Sequence, residues 1–210
     1  HFDAFYSGYL ASPEQVDTVL HMIDLLCDGQ TRLFVDPAFA DHGKLYSLMN
    51  EHMPARMRSL CARAHTIVPN LTEAAFLLGE PYRAAGYNQS YIRDLAVRLS
   101  QLGPESIVIT DVSFNDREVG IAVYHKGNDD FQLLFRPKFA GVFYGTGDVF
   151  ASFLLSALLG GKPLMEAAAL ALDCTHDSIL YTLNDGEPLR YGVQFERALP
   201  KLMSALGIHA

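Results

Sequence analysis

Gly145-Thr146-Gly147-Asp148-Val149-Phe150-Ala151-Ser152-Phe153-Leu154 is the stretch on which the reading of this chain turns. Two glycines let the main chain pass close to a ligand, and the apolar run after them has the spacing of an amphipathic helix. The stretch therefore reads as a helix whose first amides are offered to an anion, with the Asp148 carboxylate in that first turn. An aspartate is stabilising in the first turn of any helix, so the rest of the chain has to decide what this one does.

Working back from it, Val119 to His125 and Phe131 to Arg136, joined by Lys126-Gly127-Asn128-Asp129-Asp130, predict an antiparallel hairpin. Three short apolar runs precede the hairpin, and each ends in a polar side chain. Ser106 to Ile109 ends at Thr110. His65 to Val68 ends in Pro69-Asn70, where Asn70 is placed to cap a helix that carries Glu73 in its first turn and stops near Gly79. Leu33-Phe34-Val35 ends in Asp36-Pro37, and the proline discourages helix at Asp36. Between the runs lie helical patterns, Val16, Val19, Leu20, Ile23 and Leu26 after the start signal Ser12-Pro13-Glu14-Gln15, then Ile92, Leu95, Ala96, Leu99 and Leu102. Strand, helix, strand at this spacing predicts parallel pairing, and ligands of open α/β sheets bind beyond the carboxyl ends of the strands. Working forward, Val149 to Leu159, Leu164 to about Tyr181, and Val193 to Leu206 predict a helical tail.

Composition removes several classes of function. Half of the 210 residues are apolar, enough for a sizeable core, and a net charge of -8 argues against a partner bound through nucleic-acid phosphates. The longest apolar stretch is interrupted by Ser152 and Ser156, far short of the roughly 20 residues that span a membrane. Cys27, Cys61 and Cys174 form neither a disulfide framework nor a zinc-ligand pattern, and His1-Phe2-Asp3 does not resemble a secretory signal, so a cytoplasmic location is expected. No histidine pair has metal-site spacing, and His65, His125 and His176 are expected to be structural.

The order Asp36-Pro37, Pro69-Asn70-Leu71-Thr72-Glu73, Thr110, Gly145-Thr146-Gly147-Asp148 resembles the ribokinase-like superfamily. Within it, Ser7-Gly8-Tyr9, Asp36-Pro37 followed by Asp41, Lys44-Leu45-Tyr46 and Tyr191-Gly192-Val193-Gln194-Phe195-Glu196 resemble the pyridoxal kinases. The resemblance implies a single kinase domain over residues 1–210, with a three-layer α/β fold in which helices flank a largely parallel sheet that carries an antiparallel hairpin. It implies transfer of phosphate from ATP, with Mg2+, to the 5'-hydroxymethyl group of pyridoxal, pyridoxine or pyridoxamine. Asp148 matches the catalytic base and Gly145, Thr146 and Gly147 the anion hole. Asp36, Val68, Asn70, Glu73 and Thr110 match nucleotide-binding positions, and Asp36, Asp41 and Glu73 the group that handles the metal, directly or through water. Tyr9 resembles the aromatic beside the substrate, which Asp148 also contacts, and Tyr46 a residue near the triphosphate.

Two positions depart from the pattern. Asp111 puts a carboxylate where a small residue is expected, and Val68 stands where some relatives offer a hydroxyl to a monovalent cation, which puts potassium dependence in doubt. The resemblance also implies a homodimer, and it implies N-terminal strands, supplying substrate contacts, that this chain lacks. Two other readings stay open: a kinase of the same superfamily acting on a sugar, nucleoside or hydroxymethylpyrimidine, and a nucleotide- or vitamer-binding protein without catalysis.

Overall fold

A computed structural model describes residues 1–185 and 192–208. Tyr191, which opens the last motif quoted above, lies outside the described residues. The chain divides into two compact units, His1–Leu133 and Leu134–Ala210.

The first unit is an α/β layer structure. Its strands and helices run β1 (Ala4–Ser7), α1 (Pro13–Leu26), β2 (Arg32–Val35), β3 (Ala40–Asp41), β4 (Lys44–Leu45), α2 (Met53–Cys61), β5 (Thr66–Ile67), α3 (Leu71–Leu77), α4 (Gln89–Ser100), β6 (Ser106–Val112) and β7 (Glu118–His125). β8 (Asp130–Pro137) then carries the chain into the second unit. The sheet order is β1-β2-β5-β6-β7-β8, with β3 and β4 forming a separate two-stranded ribbon. β1, β2, β5 and β6 are mutually parallel, whereas β7 runs antiparallel to β6. The segment between β7 and β8 is too short for a parallel crossover, so these two strands form the expected hairpin.

Local signals account for most of these elements. α1 starts where Ser12 Oγ accepts from the Gln15 amide at 3.4 Å and Gln15 Oε1 accepts from the Ala11 amide at 2.7 Å, a reciprocal pair of the capping-box kind. Its Val16 and Ile23 are buried, but Leu26, in the last turn, is exposed. α4 is capped by Asn88 Oδ1, 3.0 Å from the Tyr91 amide, and buries Ile92, Leu95, Ala96 and Leu99, the face that periodicity selects. Those side chains and Phe34, Ile67, Ile107 and Ile109 make the core, each large one worth roughly 1.5–3 kcal/mol when withdrawn from water. Gly103 marks a close approach: at φ 152° a Cβ there would lie 2.2 Å from the Ala62 carbonyl oxygen, so only glycine fits. β6 does not stop at Thr110. It continues to Val112 through a register shift between Ile109 and Val112, with Asp111 in the left-handed region at φ 59°, the local kink of a bulge.

The second unit is mainly helical, with α5 (Thr146–Leu159), α6 (Leu164–Asp185) and α7 (Leu199–Ala205). α5 buries Phe150, Ala151, Phe153, Leu154 and Ala157, and α6 buries Ala167, Ala168 and Ala171, small side chains that let another helix approach closely. Farther along α6 the buried hydroxyls of Thr175, Ser178 and Thr182 each donate to the carbonyl four residues back at 2.7–2.8 Å, so they are satisfied without outside partners. Thr182 Oγ1 also accepts from the Gln194 amide at 2.8 Å. The helix expected over Val193 to Leu206 is interrupted: a 3-10 turn over Phe195–Ala198 precedes α7. Pro200 explains the break, since it brings no N–H and is tolerated only in the first turn of the new helix.

Among the described residues no helix is long and apolar enough to cross a membrane. The cysteines are free; burial pushes the Cys61 thiol far up and the Cys174 thiol up to about 11, which leaves both unreactive. His65 is structural, its Nδ1 accepting from the Leu33 amide at 2.9 Å.

Candidate functional site

In the first unit the parallel register sets the polar residues side by side. Ser7 pairs with Val35, Val35 with Ile67, and Ile67 with Ile107, so the segments leaving these strands emerge on one edge. The Asp36 amide donates to the Ser7 carbonyl at 2.8 Å, the Thr110 amide donates to the Pro69 carbonyl at 2.9 Å, and Asn70 and Thr110 face each other across an isolated parallel bridge. Asp36, Asn70, Glu73 and Thr110, nominated from the sequence one strand at a time, are thus brought together. Val68 is buried there and presents only methyl groups from its side chain. Ser7 Oγ, also buried, has no hydrogen-bond partner among the described residues.

The strand ends are wired to helix α3. Asn70 caps it, Oδ1 accepting from the Glu73 amide at 2.9 Å, and Nδ2 donates to the Ala40 carbonyl at 2.7 Å, so one side chain serves both as cap and as tie. Glu73, 2% exposed, closes the capping box by accepting from the Asn70 amide through Oε2 at 2.8 Å, the reciprocal bond of that motif. Its Oε1 accepts from the amides of Phe39 at 3.0 Å and Ala40 at 3.3 Å. Burial, then the neighbouring Asp36 carboxylate, hold the Glu73 carboxyl well above the usual range, against the opposing pull of the three amides.

Asp41 ends β3, His42 and Gly43 turn the ribbon at φ 48° and 76°, and Lys44 starts β4. Positive φ at both central residues is the mark of a type I' hairpin turn, so His42-Gly43 is a signal that sequence reading passed over. Asp41, His42 and Asp111 offer ligand atoms that all lie within 4.8 Å of one another. Two carboxylates and an imidazole at that spacing fit a small divalent cation. Tyr82 stands beside this group, its phenol pushed up by burial and then by Asp111. Tyr9, half-exposed, and Tyr46 lie with ring centroids 6.2 Å apart, so two separately nominated tyrosines form one aromatic surface.

In the second unit Gly145 is the N-cap of α5 with φ 79°, a conformation a side chain would strain. Thr146 Oγ1 donates to the Phe143 carbonyl at 3.3 Å. A Cβ on Gly145 or Gly147 would meet nothing within 4 Å and both glycines are exposed, and the amides of Thr146, Gly147 and Asp148 enter no backbone hydrogen bond among the described residues, as expected of a helix's first turn. Asp148, the third residue of α5, is exposed there. Beside it runs an apolar cavity of about 290 Å³ lined by Asp148, Val149, Phe153, Phe195, Leu199 and Leu202 among others. Ser152 also lines it, but its hydroxyl is turned into the helix, donating to the Asp148 carbonyl at 2.7 Å. An open helix N-terminus carrying an ionisable acid can hold an anion on its amides and accept a proton from a hydroxyl beside it.

Comparison with known proteins gives one picture. Residues 1–190 match the phosphomethylpyrimidine kinase family. A pyridoxal kinase of Dictyostelium discoideum is 29% identical over 189 residues, 84% of this chain; the chain spans 59% of that relative's length. A Bacteroides thetaiotaomicron protein provisionally assigned as a phosphomethylpyrimidine kinase, in a crystal form with pyridoxal, superposes with a TM-score of 0.90 at 31% identity, over 96% of this chain and 71% of its own. Pyridoxal kinase from Lactobacillus plantarum superposes with a TM-score of 0.86 at 27% identity, over all of this chain and 73% of its own.

Proposed function

The chain belongs to the phosphomethylpyrimidine kinase family, and from that premise we propose that it is the larger part of an ATP-dependent kinase that phosphorylates the 5'-hydroxymethyl group of a B6 vitamer. The observation that carries the reading is the open amide cradle at Gly145, Thr146 and Gly147 with the exposed Asp148 in the same helical turn. The choice of vitamer is supported by the relatives, two named pyridoxal kinases and one protein seen with pyridoxal.

Transfer of a phosphoryl group asks a protein mainly for position and for groups that answer the charge of the phosphate oxygens. Asp148 accepts the proton of the vitamer's primary alcohol as that oxygen bonds to phosphorus; an alcohol is far less acidic than a carboxylic acid, so the proton moves late. The first amides of α5 hold the phosphate oxygens, and the exposed glycines leave room for them to approach. Magnesium, when bound, supplies positive charge among the phosphate oxygens, and the carboxylates of Asp41 and Asp111 would hold it, with His42 beside them and Asp36 and Glu73 acting behind them or through water. Asn70, Thr110 and the backbone at Val68 contact the nucleotide, Tyr46 stands near the triphosphate, and Tyr9 lies against the vitamer ring. Val68 offers no side-chain oxygen to a monovalent cation, so the reading includes no potassium requirement. It does include a homodimer in the cytoplasm.

The test is to incubate the 210 residues, and a version extended at the N-terminus, with ATP, Mg2+ and each of pyridoxal, pyridoxine, pyridoxamine and hydroxymethylpyrimidine, reading products by mass spectrometry. Phosphorylation of a B6 vitamer by the extended form supports the reading. Phosphorylation of hydroxymethylpyrimidine alone would move the substrate elsewhere in the family, and ligand-induced thermal shifts with no product would leave a binding protein.

A further inference from the structure

α3 has only seven residues, and its N-terminus makes more hydrogen bonds than its own capping requires. The capping box uses Asn70 Oδ1 and Glu73 Oε2. That leaves Glu73 Oε1, which reaches back 34 residues to the amide of Phe39 and also takes that of Ala40. It leaves Thr72 as well, 2% exposed, whose Oγ1 accepts from the Gly43 amide at 3.1 Å. The bonded amides are those of Phe39, Ala40 and Gly43. They bracket Asp41 and His42, the two residues of that turn whose side chains converge on Asp111.

We propose that Thr72 and Glu73 are positioning residues that fasten the 39–43 turn to the start of α3 and so set where Asp41 stands relative to Asp111. Asp41 and Asp111 approach each other from segments far apart in the chain, and two carboxylates at this spacing repel each other. A turn of this kind, tied only by its two-stranded ribbon, would relieve that repulsion by swinging outward. Three bonds to buried side chains of one helix oppose the swing, and Asn70 Nδ2 adds a fourth at the Ala40 carbonyl. No other polar role is needed to explain why a hydroxyl and a carboxylate are buried at positions 72 and 73. The inference deepens the kinase reading, since it concerns how the cation-handling carboxylates are held.

Thr72→Val keeps the shape of the side chain and removes the acceptor, while Thr72→Ser keeps the acceptor. Peptide-level hydrogen exchange of residues 39–43 and the half-saturating concentration of Mg2+·ATP are measured for both variants and the parent, with melting temperature alongside. The Val variant is expected to exchange about 5–10-fold faster over 39–43 and to need about 5-fold more Mg2+·ATP, with turnover at saturation within about 2-fold and the Ser variant near the parent. Unchanged exchange over 39–43 would overturn the clamp. Faster exchange with unchanged half-saturation, or Ser behaving like Val, would reduce Thr72 to a packing residue and overturn the positioning role. If the parent itself bound no Mg2+·ATP, the kinase reading would fail, and the exchange pattern alone would decide whether the turn is clamped.

Discussion

The polar residues at the strand ends of the first unit and those at the start of α5 in the second are built on opposite plans. At the strand ends of the first unit nearly every polar atom is already engaged: Asn70 spends its amide on a cap and on Ala40, and Glu73 gives both oxygens to backbone amides. At the start of α5 the first-turn amides enter no backbone hydrogen bond among the described residues and Asp148 is exposed. Hydrogen bonds made in the folded protein stabilise it, whereas groups left open are held ready for a ligand. The lesson is that damage at these two places should divide the same way, with stability lost where a strand-end tie is cut and chemistry lost where the start of α5 is altered.

Asp148→Asn is the sharpest way to break that division. In a preparation that phosphorylates pyridoxal, turnover is expected to fall at least about 100-fold while ATP affinity holds and melting temperature moves little, because the proposed base is lost and, among the described residues, no hydrogen bond to its side chain goes with it. A near-normal single-turnover rate would remove Asp148 from the chemistry. Gly147→Val comes next, with a loss of about 10-fold or more in turnover, since the protein itself has room for the side chain but an anion on the neighbouring amides does not. Full activity would mean that phosphate does not approach the loop.

In the first unit, Asn70→Ala removes a cap and a tie to Ala40. The expected cost is about 1–2 kcal/mol, a drop of roughly 3–6 °C in melting temperature by calorimetry. No change would show that the strand ends are less tightly wired than their distances say. Arg56→Ala supplies the small end of the scale. Its ion pair with Asp17 is short at 2.6 Å, but both side chains are nearly half exposed. Urea denaturation should register no more than about 0.5 kcal/mol.

The sequence made the parallel strands, α4 and the hairpin legible because each rests on a local period and a local stop: Leu33-Phe34-Val35 before Asp36-Pro37, or Ile92 to Leu99 before Gly103. It also led to Asn70 as a cap, a role that its immediate neighbours in the chain decide. What escaped depends on distance. Nothing near Thr72 announces that its hydroxyl will meet Gly43, and Asp111 could be flagged as unusual but not placed beside Asp41 and His42, because that meeting is set by sheet register and by a bulge. Val193 to Leu206 reads as one helix for the opposite reason, a persistent apolar period that hides the consequence of Pro200.

The order of strands across the sheet, β1-β2-β5-β6-β7-β8, is also their order along the chain once the small β3-β4 ribbon is set aside. A chain made from its N-terminus can therefore add each strand to the edge left by the one before, without reopening a finished pairing to insert a latecomer. Growth in this direction leaves the hydrogen-bonding groups of a single leading edge unpaired on that side at every stage, and the β6-β7-β8 meander follows last through the shortest connections. The topology that aligns these strand ends thus lets synthesis itself lay these six strands down in sequence.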